Sequence, residues 1–407
     1  MEWAEGDSQR QGVNMANPAR LIVAVLVGMA AMLVDTAPAQ AEGMTAPSLI
    51  AEIPFQDVGD SYLWIQAFAR SGSGVFAFAG CMGPLQERQP AVWLCRHPSD
   101  LVSATPNVSP HSGSEWTSIH SDGDSFILGR AGRTGGIASF KLDRETLDWS
   151  EVYSRFNVAR FATMAASGSS AYTYEILPRE EGANFVTPEL KLVRGEGVYS
   201  VNRYSPTGEI VWTKRCTGPR GTNPVDIAAD QNVVVLGISE VDGGYRKGSI
   251  QILNPADGEV ISQRFLSDEP ELARRVNVAM AGLLLYVAWN EEETIHVGVF
   301  DNRGNRLWEK SLENAGEVLA LEPDKSGVVL VSRPLGASSK VSIRSIEATG
   351  MILDQALIDA EQGKVIRAIV FCDESDRLVL LHMSKLSESD RPIAGYRLYS
   401  LKEWRHK

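Results

Sequence analysis

Residues Asp301–Trp308 read DNRGNRLW, and this octapeptide decides the fold. An Asp opens the turn, a Gly closes it three residues on, and a Trp follows four residues later. Apolar runs lie on both sides. A Gly at that point of a hairpin takes up left-handed backbone without the steric cost a side chain would bring. Related turns recur at Ser205–Gly208, Asn254–Gly258 and Glu347–Gly350, and the glycines at 208, 258, 304 and 350 are 50, 46 and 46 residues apart. Trp212 occupies the place of Trp308, and Trp149, after the turn Asp143–Glu145, carries the series backwards. His97–Asp100 is a weaker first member and Lys402–Glu403 a last one.

A second set of turns runs between the first: Ser71–Gly74, Ser121–Asp124, Ala166–Ser169, Asp230–Asn232, Met280–Gly282, Asp324–Gly327 and Asp373–Asp376. Each joins two short runs rich in Val, Ile, Leu, Tyr and Phe, and strong helical periodicity is absent. Seven units of four short strands, at a period of about 40–50 residues, are the signature of a β-propeller. The expected fold is therefore all-β, a seven-bladed propeller, with six or eight blades also compatible with the spacing.

On these turns the chain resembles the PQQ-like and YVTN/WD-like propeller-repeat superfamily, in which a D-x-x-G-x-x-x-W turn joins the third and fourth strands of a blade. Asp301–Trp308 matches in full, Ser205–Trp212 and Asn254–Ser262 in part. The resemblance implies architecture and says little about chemistry, because propellers host many unrelated functions. The PQQ-dependent dehydrogenases of that superfamily carry an adjacent Cys-Cys pair, which this chain lacks, and it has no C-x-x-C-H haem site. No cofactor is expected.

With strands lettered a to d from the axis outward, Gly395–Leu401 reads as strand c of the last blade. Ser48–Phe55, ahead of a first strand a near Tyr62, is expected to supply its strand d. A wheel closed in this way leaves no sheet edge open at the seam. The b–c and d–a loops then share one face, and the tight turns share the other. Blade three carries an insertion on the loop face, Leu177–Gly197, with Arg179, Glu180 and Phe185. Ser103–Glu115 and Cys216–Val225 read as further long loops there. Arg88, Arg130, Arg133 and Arg220 belong to the same face. Together these form the candidate surface for a protein partner, the bland alternative being ordinary solvated loops. Cys81 and Cys95 flank the first b–c loop. A register centred on position 88 would set them opposite each other, either as a disulfide or as two buried thiols.

The N-terminus reads as an address. Leu21–Val34 is a 14-residue apolar run preceded by Arg20 and followed by Ala39-Gln40-Ala41. A bilayer-spanning helix needs about 20 apolar residues, so residues 1–41 fit a cleaved signal peptide better than an anchor. Met15 opens a more basic leader than Met1 does, and translation starting there is the expectation. Residues 42–407 then form one propeller domain with no membrane span. Lys and Arg number 39 against 51 Asp and Glu, a net charge of −12, which argues against a nucleic-acid partner. Nucleophile elbows, zinc helices and P-loops are absent, and the six His are scattered. His120 and His382 read as structural, and the Trp residues at 149, 212 and 308 as packing between blades. The expected function is a non-catalytic periplasmic or secreted platform that binds a protein through its loop face. It would act alone or as a subunit of an assembly like the amine dehydrogenases, whose large subunits look similar in length, leader and blade number. The alternative is an enzyme with a hydrolase, lyase or quinone-cofactor site at the mouth of the central channel.

Overall fold

The computed structural model describes residues 47–402, save 58–62, 84–87, 109–114, 124, 132–135, 144–145, 147, 157–161, 168–169, 177–196, 219–222, 243–244, 268–273, 314, 361–362, 374–375 and 387–391. Twenty-eight strands form seven four-stranded antiparallel sheets. Six are built from consecutive strands, in blades 1 to 6 spanning residues 63–108, 115–156, 162–218, 223–265, 274–312 and 317–359. The seventh takes three strands from residues 364–400 and its outermost from Ser48–Asp57, which pairs antiparallel with Pro392–Ser400. The innermost strand of each blade packs against that of the next, and Lys364–Cys372 of blade 7 packs against Leu63–Arg70 of blade 1. The propeller has seven blades, and its N-terminal strand closes the last of them.

Alternation along the strands divides the core into slices. Side chains on the two faces of a sheet point to opposite neighbours, so the buried apolar residues form seven clusters, one at each junction between blades. The slice at the seam joins Phe68 and Phe78 of blade 1 to Leu380 and Tyr396 of blade 7. Fully burying each such side chain is worth about 1.5–3 kcal/mol.

The recurring turn glycines answer to a second constraint besides backbone conformation. Gly258 has φ +76°, and a Cβ built on it would lie 2.8 Å from the ring of Trp212 in the preceding blade. Gly350, φ +84°, meets Trp308 in the same manner at 3.3 Å. Each indole also donates its Nε1–H across the junction, Trp212 to the Pro255 carbonyl at 2.9 Å and Trp308 to the Ala348 carbonyl at 2.7 Å. The side chain of Trp149 lies outside the described residues.

Three expectations are corrected. Cys81 pairs with Pro90, and Cys95 with Phe76. The hairpin is thus centred between residues 85 and 86, not on 88, because strand c already begins at Gln89. The two cysteines lie on different rungs and are free, buried thiols. Burial pushes the Cys95 thiol up to about 12. Second, Ser103–Glu115 is not one loop. A 3-10 turn at Pro98–Val102 replaces the glycine corner in blade 1, and the outer strand follows as Pro106–Val108. Pro106 lacks an N–H, which suits an edge strand. Third, Cys216–Gly218 belongs to the outer strand of blade 3, and Asn223–Val225 to the inner strand of blade 4.

Candidate functional site

Two regions have the makings of a site. The first is the loop face. Strand b of blade 3 ends at Ile176 and strand c begins at Gly197, leaving 20 residues between them. The corresponding connections in the other blades run from two residues, as between Asp242 and Tyr245, to six, as between Met82 and Gln89. Arg179, Glu180 and Phe185 lie in this excursion, outside the described residues; Arg133, Arg220 and residues 1–41 also fall outside them. Arg130 sits near the end of strand b of blade 2, paired with Trp116 and Gly136.

Arg88 is the one candidate whose side chain is described, and it is partly buried. Its guanidinium lies 4.9 Å from the centroid of the Trp64 ring. Trp64 meets His382 edge-on at 5.1 Å, and His382 stacks on Tyr396 at 4.6 Å. The Tyr396 hydroxyl accepts the Ile65 N–H at 2.9 Å. This ladder ties blade 1 to blade 7 at the seam. Burial, with the field of Arg367, pulls His382 down to about 3, so the imidazole is neutral at physiological pH and serves packing, as expected for a structural His.

The second region is the central channel, where the signal lies in register. Six of the seven inner strands carry a β-bulge at the same height: Ile65/Ala67, Trp116/Ser118, Pro224/Asp226, Arg274/Asn277, Val318/Ala320 and Val365/Arg367. A bulge sets two residues against one and re-aims the side chain that follows. The residues just past the bulge, Ala67, Ser118, Asp226, Asn277, Ala320 and Arg367, are therefore equivalent. The next residue along in each strand is buried in the slice shared with the preceding blade: Phe68, Ile119, Ile227, Val278, Leu321 and Ala368. Most of the post-bulge set is only partly buried, and Ala67 and Ala320 pack against the slices shared with the following blade.

Asp226 is held by its neighbours. It accepts the Val278 N–H of blade 5 and its own chain's Ile227 N–H, both at 2.9 Å, together with the side chain of Asn277. Burial nevertheless lifts its carboxyl to about 6, while these hydrogen bonds and the field of Arg367 oppose the rise. Arg367 reaches Gln66 of blade 1. Glu322 lies two residues beyond Ala320, and burial and the charge of Asp226 push it up to about 8. Among the described residues no three metal-binding side chains gather into a cluster. No helix there is long and apolar enough to cross a membrane.

On the opposite face, the turns of blades 3, 4 and 5 frame an open groove of about 740 Å³. Arg203 lies within it, donating to the Pro255 carbonyl at 2.9 Å and to Ser170 Oγ at 3.2 Å. Sequence reading missed both this groove and the channel residues. The channel was signalled only by single polar residues in alanine-rich inner strands, a pattern with no spacing rule.

No protein-family model and no curated protein sequence matches this chain. Solved structures do. The WD40 β-propeller domain of Doa1 is 14% identical, covering 88% of this chain and 99% of that one, with a TM-score of 0.53. The Dos1 propeller is 11% identical over 87% and 95% of the two chains, with a TM-score of 0.51. A chain of the COPII outer-coat vertex on membranes is 10% identical over 85% and 84%, with a TM-score of 0.53. At such identities the likeness shows a WD40-type propeller fold and nothing finer.

Proposed function

We propose that the chain is an exported, non-catalytic propeller platform that holds a protein partner on its loop face. The observation that carries this reading is the 20-residue excursion between Ile176 and Gly197. A rigid frame that keeps its other b–c connections at six residues or fewer concentrates variable contact surface at one blade. The leader at 1–41 supports a periplasmic or secreted location. A PQQ-like or YVTN-like origin, and a role as subunit of an amine-dehydrogenase-like complex, extend the proposal on the strength of the repeat turn, leader and length. The Doa1, Dos1 and COPII structures lend the scaffold, and the COPII chain is part of a coat assembly.

Catalysis at the channel mouth is the weaker reading. Asp226 is engaged by three donors and His382 is stacked and neutral, which suits holding better than proton transfer.

The test is a photo-crosslinking amino acid placed at Phe185, with a second at the exposed Leu283 on the opposite face as control. A discrete adduct from position 185 alone, lost when residues 177–196 are replaced by a two-residue Asn-Gly turn, is the expected result. Equal labelling from both faces, or none from 185, overturns the proposal.

A further inference from the structure

Blade 5 carries a histidine with a carboxylate on each side of its ring. His296, on strand c, sets Nδ1 3.0 Å from Glu309 Oε1 on strand d, and Nε2 3.5 Å from Glu291 Oε2 at the end of strand b. Register makes the placement, because Trp289, His296 and Ser311 are successive partners across the three strands. The Trp289 indole stacks on the imidazole at 5.3 Å and donates its Nε1–H to the other oxygen of Glu291 at 2.8 Å. Side chains of His296, Glu291 and Glu309 are 15%, 16% and 25% exposed, so water screens the cluster only in part.

A neutral imidazole has one N–H and one lone pair. Carboxylate oxygens on both nitrogens are therefore answered only by the imidazolium. The hydrogen bond with Glu309 accordingly lifts the ring above its usual 6.5, against the opposing effect of burial.

Glu291 opens a turn that is unfavourable in itself. Strand b ends there and strand c starts at Thr294, so Glu292 and Glu293 make the whole b–c connection. Glu292 holds left-handed backbone at φ +50°, which disfavours any residue with a Cβ, and three successive carboxylates repel one another. Opposing this are the grip of His296 and Trp289 on Glu291, and the Gly316 N–H, which donates to the Glu293 carbonyl at 3.3 Å.

We propose that this turn is a proton-operated latch on the loop face, closed while His296 is charged and opened when the ring loses its proton. The neutral ring keeps its N–H on Nδ1, toward the nearer Glu309, with Ser311 Oγ at 3.2 Å beside the same nitrogen. Glu309 retains Arg306 on its other oxygen. Nε2 then turns a lone pair on Glu291, and the turn is left with its strain and its charge. Closure is thus complete below pH 6.5 and is lost as pH rises through the raised value of His296. The charges acting on the ring are Glu309, Glu291 and Arg306. Blade 4, packed on the Trp289 side, offers the Leu266 carbonyl, which Arg306 engages at 2.8 Å. Glu317 of blade 6, next to Gly316, is held by Arg275 and Arg333.

Nuclear magnetic resonance on the full chain tests the latch, and no partner enters the measurement. The native His296 ring should titrate with a midpoint above 6.5. Exchange of the Gly316 amide, corrected for hydroxide catalysis, should quicken about threefold or more between pH 6 and pH 8.5, the factor for one half-exposed ion pair. Glu291→Gln keeps an acceptor for Trp289 and offers an amide N–H to the neutral Nε2. Its midpoint should fall, and its Gly316 exchange should stay slow at both pH values. His296→Gln should exchange fast at both. A native midpoint at or below 6.5, Gly316 exchange that ignores pH, or the same quickening in Glu291→Gln would each overturn the proposal.

Discussion

Replacing Gly258 with Ala tests the wheel at one of its repeating joints. Left-handed backbone at φ +76° costs a non-glycine residue about 1–2 kcal/mol. The reduced freedom of the unfolded chain returns about 0.4–1 kcal/mol. The added methyl would also sit 2.8 Å from the Trp212 ring, and overpacking of that kind costs about 1–3 kcal/mol. The expected loss is about 2–4 kcal/mol. Gly282 is the matched control. Its φ is +61° with no atom within 4 Å of the built Cβ, so Gly282→Ala should cost about 1 kcal/mol or less. Gly350→Ala, with Trp308 at 3.3 Å, should fall between the two. Urea midpoints at constant slope provide the measurement. Trp212→Ala in the same chain should relieve most of the Gly258→Ala penalty, a coupling of about 1–2 kcal/mol. Equal losses at 258 and 282, or strict additivity with Trp212→Ala, would refute the claim that an indole from the preceding blade fills the glycine's space.

Three further outcomes are expected. Arg377 and Asp324 form an ion pair between blades 7 and 6 with side chains 8% and 1% exposed, so Arg377→Met should cost about 3–5 kcal/mol. Adding Asp324→Asn should recover part of that loss in thermal unfolding. Glu322 has a folded-state carboxyl raised from 4.5 to about 8, so the stability it confers is full below pH 4.5 and is lost as pH rises to 8. The ceiling is about 5 kcal/mol, and the partly open channel lowers it to about 1–2 kcal/mol. Melting from pH 5 to 8 should fall more steeply for the native chain than for Glu322→Gln, and parallel curves would contradict the assignment. All four cysteines should react with a thiol reagent once the unreduced protein is unfolded in urea, and slowly before, because Cys81 and Cys95 face different rungs; a count of two would restore the disulfide.

Architecture was legible in the chain because a propeller repeats one local problem seven times. The c–d corners at Gly208, Gly258, Gly304 and Gly350 have left-handed backbone, and the Gly-to-Trp interval of four residues at 208/212 and 304/308 exposed both the corner and its packing. The closing strand Ser48–Asp57 was legible for a related reason, since a final unit with only three strands leaves one to be found at the other end of the chain. Register was less accessible. The Cys81–Cys95 pairing failed because the length of a b–c connection, not the identity of the cysteines, sets which rungs face each other. The 3-10 turn at Pro98–Val102 was hidden because blade 1 solves its corner without glycine.

The channel was harder still to read, and the reason is geometric. A bulge shifts the register of one strand by one residue, and it leaves no signature in the sequence of that strand alone. Asp226, Asn277 and Arg367 follow Pro224-Val225, Arg275-Val276 and Val365-Ile366, which share no motif. Their equivalence exists only once strand b is laid beside strand a and the extra residue is counted. Polar residues at those positions interrupt an otherwise apolar inner strand, so each looks like a local exception. Asp226 and Asn277 meet across the junction of blades 4 and 5, so what the sequence separates by half a hundred residues the register brings together. The same reasoning explains why the chemistry of a propeller drifts freely while its frame persists. Gly258 and Gly350 are fixed by a neighbour's indole, whereas the post-bulge positions hold residues as unlike as Ala, Ser, Asp, Asn and Arg.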